Sequence, residues 1–261
     1  MLRKLMKYEA MATSRVFLPL YGLILLLSCF IHIFLPLNSD TFDTPRIITM
    51  MVYMFLMAAL FVMTLVVTIQ RFQKNLLGDE GYLSFTLPVK TWDHIVSKMI
   101  VTLMWSFFTL IVSFFSVFLL AVGDKQSLKT FSEGCMEIGD AFNRYGGWAW
   151  LILAEAVVFL VIAIFSGTLQ IYAAVSVGHL SPKHKLLAGF GAFVGFCIVE
   201  QIIASLFSGY IEANSLLWAT IDVTPSMIST CLLVCIGFSA VFGAAFFFLT
   251  EWILKRKLNL E

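Results

Sequence analysis

The chain has few charged residues for its length. Asp, Glu, Lys and Arg together make up 13% of its 261 residues, whereas about a quarter is usual in soluble domains. Hydrophobic residues make up 60%, and the mean hydropathy is +0.94. A soluble fold of this size cannot bury so much apolar surface. The composition therefore excludes an ordinary soluble domain and predicts a chain whose main solvent is lipid.

The chain also lacks the short motifs that mark common active sites. It contains no GxxxxGK[ST] phosphate loop, no HExxH, no GxSxG elbow and no paired-Glu motif of a membrane protease. The histidines are scattered, and the cysteines show neither a CxxC pair nor metal-ligand spacing. We therefore expect no metal site, no nucleic-acid partner and no catalytic residue, and we expect the cysteines to be small buried hydrophobic residues.

Six apolar runs are long enough to cross a membrane. About 20 helical residues, each rising about 1.5 Å, cover roughly 30 Å of hydrocarbon. The predicted spans are about 16–37, 47–70, 99–122, 148–177, 186–208 and 227–254. No internal repeat or soluble domain interrupts them. The sequence thus predicts an all-α integral membrane protein, with a single transmembrane domain over residues 1–261.

Lys and Arg residues are distributed unevenly between the loops. Thirteen lie at the N-terminus, in the loops after spans two and four, and in the tail, whereas four lie in the other loops. An excess of Lys and Arg marks the cytoplasmic side of a membrane protein. We therefore expect both termini, and the loop over residues 71–98, in the cytoplasm of a cell-membrane protein.

Three segments outside the spans are predicted to have structure. Residues 1–15 mix apolar and basic side chains, which favours a short helix in the membrane interface over a frayed tail. The outer loop over residues 123–147 is acidic and amphipathic. The outer segment 209–226 has no Lys or Arg but keeps large apolar side chains, which favours a re-entrant segment in the outer leaflet.

Two carboxylic acids fall inside predicted spans. Glu155 in span four and Glu200 in span five lie a similar distance from the outer ends, so we expect them at similar depth. A carboxylate in hydrocarbon costs a few kcal/mol and usually faces the bundle interior or a watery cavity. The functional interpretation is a cation or proton site, or the lining of a transport path. The alternative is a protonated or hydrogen-bonded carboxyl group that serves packing.

Span five also contains a small-residue pattern. Gly191 and Gly195 are spaced as GxxxG within "GFGAFVGF". Small residues at this spacing allow two helices to approach closely. The pattern predicts a helix-packing seam at these two glycines.

The predicted cytoplasmic loop 71–98, "RFQKNLLGDEGYLSFTLPVKTWDHIVSK", carries more large apolar residues than a solvated loop needs. Asp79 can cap a short helix, and Pro88 can end it. Three apolar side chains fall between them at near-helical spacing: Tyr82, Leu83 and Phe85. The pattern predicts a helix along the membrane, with apolar side chains available to a partner, and a cap at Thr91 for the next helix.

This loop resembles the corresponding loop of the membrane subunits of ABC exporters of the ABC-2 permease family, especially the small single-domain type of Gram-positive bacteria. The stretch "KLMKYEAMATSRVFLPLY" at residues 4–21 supports the resemblance, and six spans with both ends inside fit the same family. Beyond about residue 123 the resemblance is one of topology only.

The resemblance implies a mechanism. Such subunits pair in the membrane, as homodimers or heterodimers, and bind two separate cytoplasmic ATPase subunits, which hold ATP and Mg. The loop after span two forms the coupling helix, and the segment between spans five and six forms an outer gate. Substrate is expelled outward, and hydrophobic or amphipathic peptides, drugs or lipid-like molecules all fit a path rich in Phe and Met. The implied ATPase-docking residues are Asp79, Glu80, Tyr82, Leu83, Phe85 and Leu87.

Other classes of protein remain open from the sequence. One is an ATP-independent channel or secondary transporter that uses Glu155 and Glu200 as its ion site, although no inverted repeat or broken span is visible. Another is a membrane enzyme, for which no nucleophile or metal constellation is found. A third is a sensor or assembly protein that docks a partner without moving a solute. Co-purification of an ATPase separates these classes.

Overall fold

The computed structural model describes residues 2–34, 43–74, 91–122, 125–181, 183–214 and 224–256. These residues form seven α-helices and no strand. The helices are α1 (Leu2–Phe34), α2 (Asp43–Phe72), α3 (Thr91–Val122), α4 (Lys125–Tyr145), α5 (Gly147–Gly178), α6 (Lys185–Asn214) and α7 (Pro225–Arg256).

Six of these helices are long and apolar enough to cross a membrane. The apolar stretches are Leu5–Ile33, Ile47–Phe72, Trp92–Val122, Gly147–Gly178, Lys185–Leu206 and Pro225–Lys255. Within the described residues, α4 is the one helix that does not qualify. The prediction of an all-α protein with six spans is confirmed, and the chain is a multi-pass membrane protein.

The first helix is longer than the sequence predicts. A separate interfacial helix is expected over residues 1–15, but α1 runs from Leu2 to Phe34 without a break. Neither Gly nor Pro occurs before Pro19, and Pro19 itself lies inside the helix. Thr13 is buried, so the turns that precede the predicted span already pack against the rest of the protein.

Several predicted loop features lie outside the described residues. The coupling helix is predicted mainly within residues 75–90, and most of the re-entrant segment within residues 215–223, and neither range is described. α3 begins at Thr91, where the sequence places a cap. α6 continues to Asn214, so the first residues of the predicted re-entrant segment extend that helix.

The helices divide into two compact units. The first consists of Met1–Thr68 and Ile100–Arg144, and so holds α1, α4 and most of α2 and α3. The second consists of Ile69–Met99 and Tyr145–Glu261, and so holds α5, α6, α7, the end of α2 and the beginning of α3.

In the first unit, polar contacts fix the direction of three helices. Trp105 Nε1 on α3 donates a hydrogen bond of 2.7 Å to Thr13 Oγ1 on α1, and Ser28 Oγ donates one of 2.7 Å to the Ser116 backbone oxygen. Residue numbers rise together along both helices, so α1 and α3 run parallel. Tyr53, early in α2, shares a 2.9 Å hydrogen bond with Ser116 Oγ, late in α3. α2 is therefore antiparallel to both, as expected for the returning second span.

In the second unit, α5 packs against both α6 and α7. Glu155 and Ser229 meet near the N-terminal ends of α5 and α7, and Ser166 lies beside Gly243 further along both helices, so these two helices run parallel. α6 is antiparallel to α5, because its first turns approach the C-terminal end of α5. The unit's apolar core is formed by Phe72, Ile95, Leu169, Tyr172, Ala173, Phe246 and Leu254.

Candidate functional site

Polar side chains are concentrated in the C-terminal half of α5. All buried residues of this helix lie between Ser166 and Gly178, although its N-terminal half is the more apolar in sequence. A polar group that is buried in a membrane protein needs a hydrogen-bond partner, because burying it unpaired costs free energy. The buried polar residues in this half are Ser166, Thr168, Gln170, Tyr172 and Ser176.

Glu200 is held by one of these side chains. Gln170 Nε2 lies 3.2 Å from Glu200 Oε2 on α6 and donates a hydrogen bond to it. The same nitrogen lies 3.4 Å from Cys197 Sγ, one helical turn earlier on α6. The sequence patterns described above do not single out Gln170. A side-chain amide inside an apolar span is the signal that could have identified Gln170, since burying an unpaired amide costs free energy.

Glu155 has a different partner. Ser229 Oγ on α7 donates a 2.8 Å hydrogen bond to Glu155 Oε1. The second carboxyl oxygen, Oε2, is buried and has no hydrogen-bond partner among the described residues. A buried acceptor without a partner is costly, so this oxygen is a suitable place for a proton, a cation or a water molecule to bind.

The two carboxyl groups do not lie at similar depth. Gln170, the partner of Glu200, is 15 residues beyond Glu155 on α5, which corresponds to about 22 Å along the helix axis. The expectation of similar depth is wrong, because Glu200 packs against the C-terminal half of α5 whereas Glu155 lies in its N-terminal half. The extension of α6 from residue 208 to Asn214 accounts for only about 9 Å of the difference. The two groups therefore cannot bind one ion together, and each must be considered as a separate site.

Two further polar side chains, Ser176 and His179, are buried in part or in full at the C-terminal end of α5. Ser176 is fully buried, and its Oγ has no hydrogen-bond partner among the described residues. His179, which follows the last helical residue, has its Nε2 buried in the same way. Burial lowers the pKa of His179 below its ordinary value, and the positive charge of Lys185 lowers it further. Both effects favour the neutral imidazole.

Both helix ends that flank the undescribed residues 75–90 are buried in the second unit. Phe72, the last residue of α2, stacks on Tyr172 of α5 with ring centroids 4.1 Å apart and planes 10° from parallel. Ile95, in the first turns of α3, belongs to the same apolar cluster. The next turn of α3 buries Lys98 as well. The predicted docking loop is thus anchored at both ends against α5.

The docking residues themselves lie within that loop. Asp79, Glu80, Tyr82, Leu83, Phe85 and Leu87 are outside the described residues. Their role stays a prediction.

Among the described residues of this single chain, the close helix approach lies at other glycines than Gly191 and Gly195, whose packing role stays a prediction. A Cβ added to Gly191 or Gly195 would meet no heavy atom within 4 Å among the described residues. A Cβ added to Gly178 would lie 2.7 Å from Gly189 Cα and N and from the Lys185 oxygen. The α5–α6 turn needs this contact, because only six residues separate the two helices.

The cysteines are also placed differently from the prediction. All five are free; Cys29, Cys135, Cys231 and Cys235 are exposed and Cys197 is partly exposed, so the expectation of buried cysteines is wrong. Cys29, Cys231 and Cys235 lie in spans, where lipid solvates the outer face and an apolar side chain gains nothing by facing inward.

Comparison of the chain with models of protein families, with curated proteins and with solved structures gives no match. The fold and the site therefore define the class from this chain's own residues. It is an all-helical, multi-pass membrane protein that carries two separate carboxyl sites in its second compact unit.

Proposed function

We propose that this chain is the transmembrane subunit of an ATP-driven ABC exporter of the ABC-2 type. It moves a hydrophobic or amphipathic substrate outward, as a pair of such subunits, with ATP and Mg bound by a separate cytoplasmic ATPase. The resemblance of residues 71–98 to the coupling loop of that family supports the proposal, and so do the six apolar helices.

The observation that carries the proposal is the anchoring of the loop. Its two flanking helix ends, at Phe72 and Ile95, are fully buried in one apolar cluster with Tyr172 of α5. Closely packed interiors transmit displacement instead of absorbing it. A loop that an ATPase pulls or pushes would therefore move α5, whose C-terminal half carries the buried polar residues.

The two carboxyl groups then have a place in the mechanism. Glu155 and Glu200 each bridge α5 to a different neighbour, α7 and α6 respectively. A displacement of α5 would strain both contacts and would expose the carboxyl groups to a path along the helix. We propose that they line the transport path at two separate levels.

The alternative function is an ATP-independent channel or secondary transporter. It would use Glu155 and Glu200 as one ion site, as the sequence first suggests. The separation of about 22 Å along α5 removes the support for a shared site, although either carboxyl group could still bind a proton alone. We therefore retain the exporter as the better-supported function.

Association with an ATPase tests the proposal directly. The double change Leu83→Asp with Phe85→Asp should abolish co-purification of the ATPase, because truncating one buried anchor already costs about 2 kcal/mol or more. A matched control is Leu186→Asp with Leu187→Asp, since both leucines are highly exposed at the start of α6 and lie on the same predicted side. The control should retain the ATPase and the ATP turnover that depends on this chain.

Two results would overturn the proposal. One is full association of the ATPase with the Leu83, Phe85 double variant while the protein is normally inserted. The other is solute transport by the purified chain alone, in liposomes without ATP, which would favour the alternative.

A further inference from the structure

α4 is strongly amphipathic although it is not a membrane span. Residues that recur every three or four positions lie on one face of a helix. One face is apolar and consists of Leu128, Phe131, Cys135, Ile138 and Phe142. The opposite face carries charge and consists of Lys129, Glu133, Glu137, Asp140 and Arg144.

The apolar face is largely uncovered by the described residues. Phe131 makes an edge-to-face contact with Phe118 of α3, with ring centroids 5.3 Å apart. Leu128 and Cys135 are exposed and Ile138 keeps 60% of its surface exposed, whereas Phe142 is partly buried. A stripe of this size would be unfavourable against water.

Chain connectivity determines where this face can go. α3 ends at Val122 and α4 begins at Lys125, while a single residue, Gly146, separates α4 from α5. Both α3 and α5 are apolar enough to span a membrane, whereas α4 is not among the helices that qualify. Both ends of α4 are therefore held at one surface of the bilayer. A helix of 21 residues spans about 31 Å, so it must lie along that surface.

Aromatic residues mark the depth of the α4–α5 junction. Tyr145 ends α4, and Trp148 and Trp150 lie in the first turn of α5, and all three are exposed. Trp and Tyr are enriched where hydrocarbon meets the headgroups of a bilayer. The junction therefore lies at headgroup level, and the apolar face of α4 can reach the acyl chains.

We propose that α4 is an interfacial helix whose Leu128, Phe131, Cys135, Ile138 and Phe142 face is buried in the bilayer, with its charged face toward water. The occupant of this surface is lipid, not a protein partner. The helix carries three basic and three acidic residues, so its net charge is zero and neutral phospholipid is sufficient. The proposal is independent of the exporter function.

Nitroxide labels on the full-length protein test this. In a variant without the five native cysteines, Ile138→Cys and Glu137→Cys place labels on opposite faces at adjacent positions. The labelled protein is reconstituted in phosphatidylcholine vesicles, and collision rates are measured with oxygen, which concentrates in lipid, and with a water-soluble nickel chelate. Label 138 should collide mainly with oxygen and label 137 mainly with nickel, and added anionic lipid should change neither result.

A third label position tests whether nickel access depends on the face of the helix or on whether the replaced residue is apolar. Met136 is apolar but lies on the charged side, beside Lys129 and Asn143, so label 136 should be accessible to nickel. Equal nickel access at 136, 137 and 138 would overturn the proposal. So would exclusion of both reagents from label 138 with dipolar broadening between labels, which would indicate a second copy on this face. If Ile138→Cys fails to insert, Leu128→Cys provides the same comparison against Lys129→Cys.

Discussion

Gln170 on α5 and Glu200 on α6 are joined by a hydrogen bond of 3.2 Å between the amide nitrogen and a carboxyl oxygen. Glu155 makes its own bond to Ser229, at the other end of the same helix. Each carboxyl group thus has a neutral partner, and α5 is tied to both of its neighbours in the second unit. The two contacts can be altered independently.

The first prediction is that these contacts are energetically separate. Two double-mutant cycles of thermal stability measure this. One combines Gln170→Leu with Glu200→Leu, and the other combines Glu155→Leu with Ser229→Ala. Each should show a coupling free energy of about 0.6 kcal/mol, and at most about 1.7 kcal/mol. Between the pairs, effects should add within about 0.5 kcal/mol, because sites this far apart share no partner. Strong coupling between Glu155 and Glu200 would contradict the assignment of two sites.

The first prediction has a second test at the Gln170–Glu200 contact, because Glu200→Gln distinguishes a packing role of the carboxyl group from a role in transport. A glutamine oxygen still accepts the hydrogen bond from Gln170, so the melting temperature should stay close to wild type. Glutamine cannot carry charge or exchange a proton, so substrate-stimulated ATP turnover in liposomes should fall. Glu137→Gln on the charged face of α4 is the control and should change neither quantity. Wild-type turnover by Glu200→Gln would leave a packing role as the explanation.

The second prediction concerns transmission from the cytoplasmic loop. Tyr172→Leu removes the ring that stacks on Phe72, so the ATPase should still bind while substrate stimulation of ATP turnover is reduced. Tyr172→Phe keeps the ring and should preserve more of the stimulation. Equal stimulation in both variants, with equal stability, would show that the stack does not transmit the movement.

Much of the fold followed from the sequence, because membrane spans are governed by length and apolarity. Six spans, the start of α3 at Thr91 and a structured outer loop with α4 all needed only local information. Depth comparisons between helices failed, as for Glu155 and Glu200, because they depend on how neighbouring helices are offset when they pack and on where each helix ends. Gly209 directly follows the predicted end of span five, yet α6 continues through it to Asn214.

The partners in the candidate site were harder to predict. Glu155 and Glu200 were visible because a carboxyl group in a span is rare, but nothing local indicates that Ser229 and Gln170 face them. The same applies to glycines. Gly191 and Gly195 have the favoured spacing, yet Gly178 and Gly189 make the close contact, because a six-residue turn forces those helix ends together.

The third prediction uses this glycine contact. Gly178→Ala should destabilise the protein by about 1–3 kcal/mol, because its Cβ would overlap backbone atoms that cannot rotate away. Gly167→Ala, also in α5 but with no heavy atom within 4 Å, should be neutral or stabilising by up to about 1 kcal/mol. Thermal unfolding in detergent measures both. Equal melting temperatures would show that the turn can open to admit a methyl group.

The fourth prediction concerns the junction between α4 and α5. Gly146 has a φ of +51° and a ψ of −119°, a conformation that L-residues rarely adopt. Gly146→Ala should therefore cost about 1–3 kcal/mol. The adjacent Gly147→Ala is the control, since its φ is ordinary and it begins a helix. A stabilised Gly146→Ala variant would mean that the junction adopts another backbone conformation.

The fifth prediction tests the contact that fixes α1 on α3. Thr13 is 3% exposed and accepts the indole hydrogen bond of Trp105 at 2.7 Å. Thr13→Val keeps the shape but leaves a buried N–H without this acceptor, which should cost about 1–3 kcal/mol of stability. Ser14→Ala is the control, because its hydroxyl is exposed and bonds only within its own helix in the described structure.

A second background tests the hydrogen bond itself. In Trp105→Phe, where no indole N–H is left without an acceptor, Thr13→Val should cost much less stability. Should Thr13→Val cost the same in both backgrounds, the hydrogen bond would contribute nothing and apolar packing around Phe17 would hold the two helices together.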